Sequence, residues 1–128
     1  MEKDFDGWNK IKKTIHKDGI DKLYQAREVW WCSLGTNVGF EQDGTGEEGQ
    51  HPVLILKGFS KHVCIVVPLT SSTKKNPYHT AVGEVDGRKA FAIISQVRLV
   101  DTKRLVNKVG VVGFDLFDKT RKAVKDLL

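Results

Sequence analysis

Cysteine is scarce in this chain: the 128 residues include only Cys32 and Cys64. Each lies in an apolar, strand-like run, without a C-x-x-C partner or neighbouring histidines. A disulfide framework in a small secreted domain would need more cysteines, and thiols in apolar surroundings are poor nucleophiles. We therefore expect two reduced core thiols in a cytoplasmic protein.

Long hydrophobic runs are also missing. The longest, such as residues 63–67, are far shorter than the roughly 20 residues that cross a bilayer as a helix. The first residues carry charges (Glu2-Lys3-Asp4) where a signal peptide would have an apolar segment. The sequence thus predicts a cytoplasmic protein that does not associate with membranes.

The usual motifs of metal, nucleotide and hydrolase sites are absent from the sequence. None of the four histidines has a second ligand at zinc-like spacing, and the acidic residues between 41 and 48 lack the spacing of an EF-hand loop. The segment Gly44-Thr45-Gly46 leads into a strand and lacks the G-x-x-x-x-G-K-[ST] pattern, so no helix N-terminus would hold a phosphate. There is no G-x-S-x-G nucleophile elbow. We expect neither a metal nor a cofactor.

Composition allows one domain with a positive surface. Apolar residues make up 40% of the chain, which is enough to bury a core. The formal net charge is +5. Such an excess is compatible with a polyanionic partner such as RNA and equally with ordinary solubility, so charge alone leaves both open.

Hydrophobic periodicity predicts a helix at each end of the chain. Apolar residues recur at helical spacing near the N-terminus, and Gly19 is a plausible stop. We expect residues 1–25 to form an amphipathic helical extension, packed on a domain of residues 26–128 or exposed as a partner surface. A second helix is predicted from Phe114, with one shared face made of Phe117, Val124, Leu127 and Leu128.

Between the helices, β-favouring segments alternate with turns. Asp86-Gly87 is a strong hairpin signal. Short strands at this spacing favour a small, strongly bent sheet or barrel. The predicted strands cover residues 28–34, 53–57, 62–69, 80–85, 89–94 and 96–100, followed by a helical turn over 101–105 and a brief strand near 108–112.

Polar side chains collect next to the ends of two predicted strands. If residues 53–57 and 62–69 pair as a hairpin, His51 lies close to Thr70 and Ser71. Further polar side chains would surround this edge: Lys74 and Lys75 in the next loop, and Glu41 and Gln42 on the loop above.

This set matches the needs of RNA cleavage without a metal. A base must take the proton of the 2′-OH, donors must stabilise charge on phosphorus, and an acid must protonate the leaving oxygen. His51 can be base or acid near neutral pH. Thr70 and Ser71 can donate to phosphate oxygens, and Lys74 and Lys75 can hold the backbone. Each of these residues, taken alone, is more often a turn or surface residue. The prediction of an RNA-cleaving site therefore depends on all of them lying close together.

Four segments of the chain are informative because of their order and spacing. They are Glu28-Val29-Trp30-Trp31 with Leu34-Gly35; Gly39-Phe40-Glu41-Gln42 with His51-Pro52-Val53-Leu54-Ile55-Leu56; Val67-Pro68-Leu69-Thr70-Ser71; and Ser95-Gln96-Val97-Arg98-Leu99-Val100 with Lys103-Arg104-Leu105. Together they span roughly residues 27–110, and the combination resembles the MazF/PemK toxins of bacterial toxin–antitoxin modules.

The resemblance implies a fold and an activity. The fold would be mainly β (α+β), a small SH3-like barrel of about 5–7 strands with a C-terminal helix and, here, the N-terminal helical extension. The protein would be a homodimeric, metal-independent and sequence-specific endoribonuclease that cleaves single-stranded RNA (mRNA). A cognate antitoxin would inhibit it.

The resemblance also implies roles for individual residues. The catalytic set would be His51, Thr70 and Glu41, with Thr70 touching the scissile phosphate. Gln96 and Trp31 would support the core or the dimer. The RNA-binding set would be Asn37, Gln42, Ser71, Ser72, Lys74 and Lys75.

One position departs from the family pattern. The family usually has Arg directly before the proline of this strand, and this chain has His51. Arg is a permanent cation that can hold a phosphate with two hydrogen bonds, whereas His can shuttle a proton near neutral pH. Two outcomes stay open: His51 acts as the acid or base and cleavage is retained, or the barrel is catalytically weakened and serves as an RNA- or protein-binding module.

Overall fold

The computed structural model describes residues 23–35 and 49–128 of the chain. These residues form seven strands and one α-helix: β1 (Glu28–Ser33), β2 (Gln50–Gly58), β3 (Val63–Thr70), β4 (His79–Val85), β5 (Arg88–Ile93), β6 (Arg98–Asp101), β7 (Leu105–Val111) and α1 (Phe114–Leu127). The predicted N-terminal helix, apart from residues 23–25, lies outside the described residues, as do Asn37, Glu41 and Gln42. The domain boundary at residue 25 therefore stays a prediction.

The strands form one antiparallel sheet that curls into a half-barrel in the order β4-β5-β3-β2-β1-β7. Strand β3 holds it together, because one of its edges pairs with β2 and the other is divided between two partners. Residues Val63 to Val66 pair with β6, and Leu69 and Thr70 pair with β5. A strand that serves two partners along one edge bends the sheet, and the twist adds to the bend. The predicted small barrel with a C-terminal helix is confirmed.

The hairpin between β4 and β5 follows directly from its turn residues. Asp86 and Gly87 have φ angles of 53° and 78°, which are the positive values that a two-residue type I′ turn needs at both central positions. This turn matches the right-handed twist of the flanking strands. The hairpin predicted from Asp86-Gly87 is confirmed.

Two strands, β2 and β7, are longer than predicted by two residues or more. β2 begins at Gln50 because β1 continues to Ser33, which pairs with Gln50. Pro52 is tolerated inside β2 because the pairing with β3 begins only at Val53, so β2 has a single neighbour at the proline. β7 begins at Leu105, which reaches Cys32 of β1 through two irregularities in the register. Both extensions depend on partners that are distant in sequence.

The core of the barrel lies between the sheet and α1. It includes Leu54, Val67, Ala92 and Phe117. α1 packs against β4, where Gly83 has a φ of 94° and a methyl group would lie 3.3 Å from Leu116 Cδ1. Glycine therefore permits both the bend of β4 and the close approach of the helix.

The face of α1 differs from the prediction at its C-terminal end. Phe117 is buried and Val124 packs on the core, as expected. Leu127 is 39% exposed, and Leu128 is 95% exposed because it follows the last helical residue and does not share the face. Thr120 is fully buried instead, with its hydroxyl donating to the main-chain oxygen of Leu116 at 2.8 Å. Among the described residues, no helix is long and apolar enough to span a membrane.

Both cysteines are free and buried, as predicted. They belong to a second apolar cluster, which also contains Trp30, Val53 and Val66. Burial raises the pKa of the Cys32 thiol to about 12 and that of Cys64 to about 11. Neither thiol is therefore a nucleophile at neutral pH.

Candidate functional site

A cleft of about 660 Å³ opens at the end of the barrel where β2 begins and β3 ends. Its apolar floor comes from several strands, and its polar groups lie at their ends, so a rigid sheet positions the side chains. The lining residues are Trp31, His51, Pro52, Leu69, Thr70, Ser71, Val85, Asp86, Arg88, Lys89, Ala90 and Val109. The predicted meeting of His51 with Thr70 and Ser71 is thus found in the structure.

His51 is 6% exposed, and its ring is held by a hydrogen bond between Nε2 and the main-chain oxygen of Leu69. A carbonyl oxygen only accepts, so Nε2 donates and carries the hydrogen. Burial lowers the pKa of His51, and the hydrogen bond to Leu69 offsets part of that effect. The imidazole is therefore neutral at pH 7, with the lone pair on Nδ1. Nδ1 is buried and has no hydrogen-bond partner in the described part of the chain.

Thr70 is the last residue of β3 and is half-buried. Its Oγ1 accepts a hydrogen bond from the main-chain N–H of Ser72 at 3.1 Å, and Ser72 Oγ accepts from the N–H of Lys74 at 3.4 Å. These two successive side-chain turns fix the path of the chain after β3. Because Thr70 Oγ1 is the acceptor, its hydroxyl hydrogen is available for donation to a ligand.

The structure does not bring every predicted residue into the cleft. Ser72, Lys74 and Lys75 are exposed on the loop after β3 and do not line the cleft. The expected convergence of two ammonium groups with His51 is therefore not found for Lys74 and Lys75. Trp31 lines the cleft, whereas Gln96 is half-buried in the 3₁₀-helical turn Ile94–Gln96. Asn37, Glu41 and Gln42 lie outside the described residues.

Two cationic residues that no sequence motif predicts line the cleft instead. Arg88 and Lys89 are exposed at the start of β5, directly after the Asp86-Gly87 turn. The hairpin signal places them beside a turn, but their position near Thr70 depends on the pairing of β5 with β3. That pairing joins segments about 20 residues apart and has no local sequence signal.

The described residues contain no group of three or more His, Cys, Asp or Glu side chains that could share a metal ion. The polar groups of the cleft are instead hydroxyls, one imidazole, one carboxylate and two cations. Such a set is suited to holding an anion with hydrogen-bond donors.

The fold and the cleft define a small half-barrel protein with a polar cleft at one end of a curled sheet. Residues 25–128 match the family described as PemK-like, MazF-like toxin of type II toxin–antitoxin system. Since the match covers most of the chain, the protein belongs to this family of toxins, and the resemblance found in the sequence is confirmed. No significant match was found among curated proteins.

Solved structures share the fold. MazF of Deinococcus radiodurans superposes with a TM-score of 0.68 at 19% identity, covering 84% of this chain and 97% of that one. An endoribonuclease in complex with its cognate antitoxin from a mycobacterial species gives 0.62 at 18% identity, covering 81% and 93%. The Mycobacterium tuberculosis toxin MazF-mt6 gives 0.60 at 13% identity, covering 78% and 94%. At identities this low, the likeness establishes the fold and nothing finer.

Proposed function

We propose that this toxin is a metal-independent, sequence-specific endoribonuclease that cleaves single-stranded RNA, in particular mRNA. The observation that carries the proposal is the cleft that joins the imidazole of His51 to the hydroxyl groups of Thr70 and Ser71. Membership of the MazF/PemK family supports the same class of activity. The mycobacterial endoribonuclease with the same fold adds to this support.

The proposed reaction uses the RNA's own 2′-hydroxyl as nucleophile. A base removes its proton, the 2′-oxygen bonds to the adjacent phosphorus, and the bond from phosphorus to the 5′-oxygen breaks. A general acid, either a side chain or water, donates a proton to the leaving 5′-oxygen. The products are a 2′,3′-cyclic phosphate and a 5′-hydroxyl.

Thr70 is proposed as the residue that touches the scissile phosphate. Its hydroxyl hydrogen is not used by the turn to Ser72, so it can donate to a phosphate oxygen. Ser71 lines the same cleft and can supply a second donor. Donors fixed in this way stabilise the charge that develops on the phosphate oxygens in the transition state.

His51 is proposed as the general base. In the structure its Nε2 donates to Leu69 and its Nδ1 is buried, so the ring would have to turn when RNA binds for a nitrogen to reach the 2′-hydroxyl. Glu41 is proposed as the third catalytic residue. The proposed RNA-binding residues remain Asn37, Gln42, Ser71, Ser72, Lys74 and Lys75.

We infer that a cognate antitoxin inhibits the enzyme by covering this cleft. Arg88 and Lys89 at its rim would favour an acidic segment of the partner. The active form is proposed to be a homodimer in the cytoplasm, with Trp31 and Gln96 supporting the core or the dimer contact.

The direct test is cleavage of single-stranded RNA by purified protein in EDTA. Wild type should yield fragments with 2′,3′-cyclic phosphate and 5′-hydroxyl ends, and Thr70→Ala should lose most of the rate while keeping the fold. A requirement for Mg²⁺, or an unchanged rate in Thr70→Ala, would refute the mechanism.

A second function, an RNA- or protein-binding module without cleavage, is favoured by one observation. His51 stands where the family usually has Arg, and its Nδ1 is buried from solvent. Expression without a partner separates the two functions. The enzyme should arrest growth, with relief by Thr70→Ala, whereas a binding module should be tolerated in both forms.

A further inference from the structure

A cleft that binds RNA gains affinity from permanent positive charge, which His51 does not provide. The phosphate groups of RNA are negative, and most of the affinity of proteins for nucleic acids comes from neutralising them. Burial lowers the pKa of His51, so its ring is neutral at pH 7. Among residues 23–35 and 49–128, the other charged side chains that line the cleft are Asp86, Arg88 and Lys89.

The position of the two cations follows from the geometry of β5. Side chains alternate between the two sides of a strand. Arg88 therefore lies on the same face of β5 as Ala90 and Ala92, which are buried in the core. Arg88 is the first residue of the strand, so it lies at the end of this face. Lys89 lies on the other side of β5 together with Phe91, the residue that pairs with Thr70. The two cations thus border the cleft on either side of β5, next to Thr70.

The hairpin that carries the cations is well defined. Val85 pairs with Arg88 and Glu84 pairs with Lys89 in the β4–β5 register, and the type I′ turn closes the end. In the described part of the chain, no ion pair within 4 Å involves Arg88 or Lys89. Their charges are therefore available to a ligand, and Asp86 offsets only one of them.

We propose that the Arg88–Lys89 pair supplies the phosphate-binding charge of the cleft. Arg88 can hold a phosphodiester through two hydrogen bonds and Lys89 adds a second point charge. This proposal rests on the proposed function, because it assigns the cations to the RNA backbone at the site of Thr70.

The test is binding of a single-stranded 2′-O-methyl oligonucleotide of mixed sequence, which cannot be cleaved through its 2′-oxygen. Arg88→Ala/Lys89→Ala should weaken binding about tenfold or more. The slope of log K against log salt concentration should become shallower by about 0.7 for each phosphate that is no longer neutralised, or about 1.4 for the pair. Arg88→Lys should keep most of the slope, since it keeps the charge.

The matched control is Lys122→Ala/Lys125→Ala, which removes two exposed lysines of α1 that do not line the cleft. The net charge falls by the same amount, but affinity and slope should stay near wild type. Equal reductions of affinity in the two double variants would overturn the proposal, because they would show a general effect of charge.

A rescue experiment tests whether a cation at position 51 can replace the charges of Arg88 and Lys89. Adding His51→Arg to Arg88→Ala/Lys89→Ala should restore binding and steepen the salt slope. A folded triple variant that still binds weakly would overturn the claim that the pair acts through its positive charge. If wild type itself neither binds nor cleaves RNA, the proposed function fails; if wild type binds and the Arg88→Ala/Lys89→Ala variant binds equally well, only the assignment of the cations fails.

Discussion

His51 on β2 donates a hydrogen bond from Nε2 to the main-chain oxygen of Leu69 on β3. The main-chain pairing of β2 with β3 begins at Val53 and Pro68. The His51 side chain therefore connects the two strands beyond the end of their main-chain pairing. Leu69 is the residue directly before Thr70. The imidazole therefore fixes both its own tautomer and the main chain that carries the proposed phosphate ligand.

Replacing His51 tests its role in cleavage. His51→Ala removes the proposed base and the contact to Leu69, so we expect RNA cleavage to fall by at least about 10². His51→Arg should also be slow, because a permanently protonated guanidinium can hold a phosphate but cannot accept a proton. A rate that is preserved or raised in His51→Arg would show that this position acts through its charge and not as the base. Initial rates measured on one RNA substrate give the comparison, with His62→Ala on the exposed β2–β3 turn as the control. Full activity in His51→Ala would disprove the catalytic role.

The burial of His51 also predicts a pH dependence of stability. Burial lowers the pKa of His51 in the folded protein. In the unfolded chain the pKa is near 6.5, so below this pH the unfolded chain binds a proton more readily than the folded protein does. The free energy of unfolding should therefore be highest above pH 6.5 and fall as the pH drops, by at most about 1.4 kcal/mol per pH unit.

The matched variant is His51→Gln, whose amide can still donate to Leu69 but does not titrate. Urea denaturation at pH 7.5 and pH 5.5 should show a smaller loss of stability for this variant than for wild type. An equal loss in both proteins would place the pH dependence elsewhere.

Much of the fold is predictable because its signals are local. The Asp86-Gly87 turn, the alternating strands and the helix from Phe114 follow from turn chemistry and hydrophobic period. The longer β2 and β7 do not, because Gln50 and Leu105 are held in strands by Ser33 and Cys32 of β1. Such extensions depend on tertiary pairing, which a local pattern does not contain.

The candidate site shows the same division. His51, Thr70 and Ser71 are found together because one short hairpin, β2–β3, connects them. Lys74 and Lys75 are close to Thr70 in sequence, yet the turns at Thr70 and Ser72 lead the chain away from the cleft. Arg88 and Lys89 are brought in by the β3–β5 pairing, which is long-range. Sequence proximity is therefore a poor guide to the charges of this cleft.

Glu28 is predicted to stabilise the contact between β1 and β7. Its carboxylate accepts hydrogen bonds from the main-chain N–H of Gln25 at 2.8 Å and Trp30 Nε1 at 3.0 Å, and it pairs with Lys108 Nζ at 2.9 Å. Burial raises the pKa of Glu28, but the bonds from Lys108, Trp30 and Gln25 outweigh it, so the pKa lies below its usual value. Glu28→Ala should lower the free energy of unfolding by about 1–3 kcal/mol at pH 7.

Two comparisons make this prediction specific. Lys108→Ala should cost less, since its side chain is 47% exposed against 12% for Glu28. The stabilisation by Glu28 is present above the carboxyl's unfolded pKa and is lost as the pH falls through the lower folded value. Chemical denaturation at pH 7 and pH 3 measures both effects. If Lys108→Ala destabilised the fold as much as Glu28→Ala, the ion pair with Lys108, and not the hydrogen bonds from Gln25 and Trp30, would carry the stabilisation.

Gly83 and Gly87 provide a matched pair that separates backbone strain from packing. Both have positive φ, 94° and 78°, so alanine is strained at either position by about 1–2 kcal/mol. At Gly87 a methyl group would meet no atom within 4 Å in the described part of the chain, whereas at Gly83 it would lie 3.3 Å from Leu116 Cδ1. Gly83→Ala should therefore lower the free energy of unfolding more than Gly87→Ala, because its methyl group also forces Leu116 Cδ1 to shift by a few tenths of an ångström. Urea titrations of both variants decide the point, and equal destabilisation would mean that Leu116 moves aside at no cost.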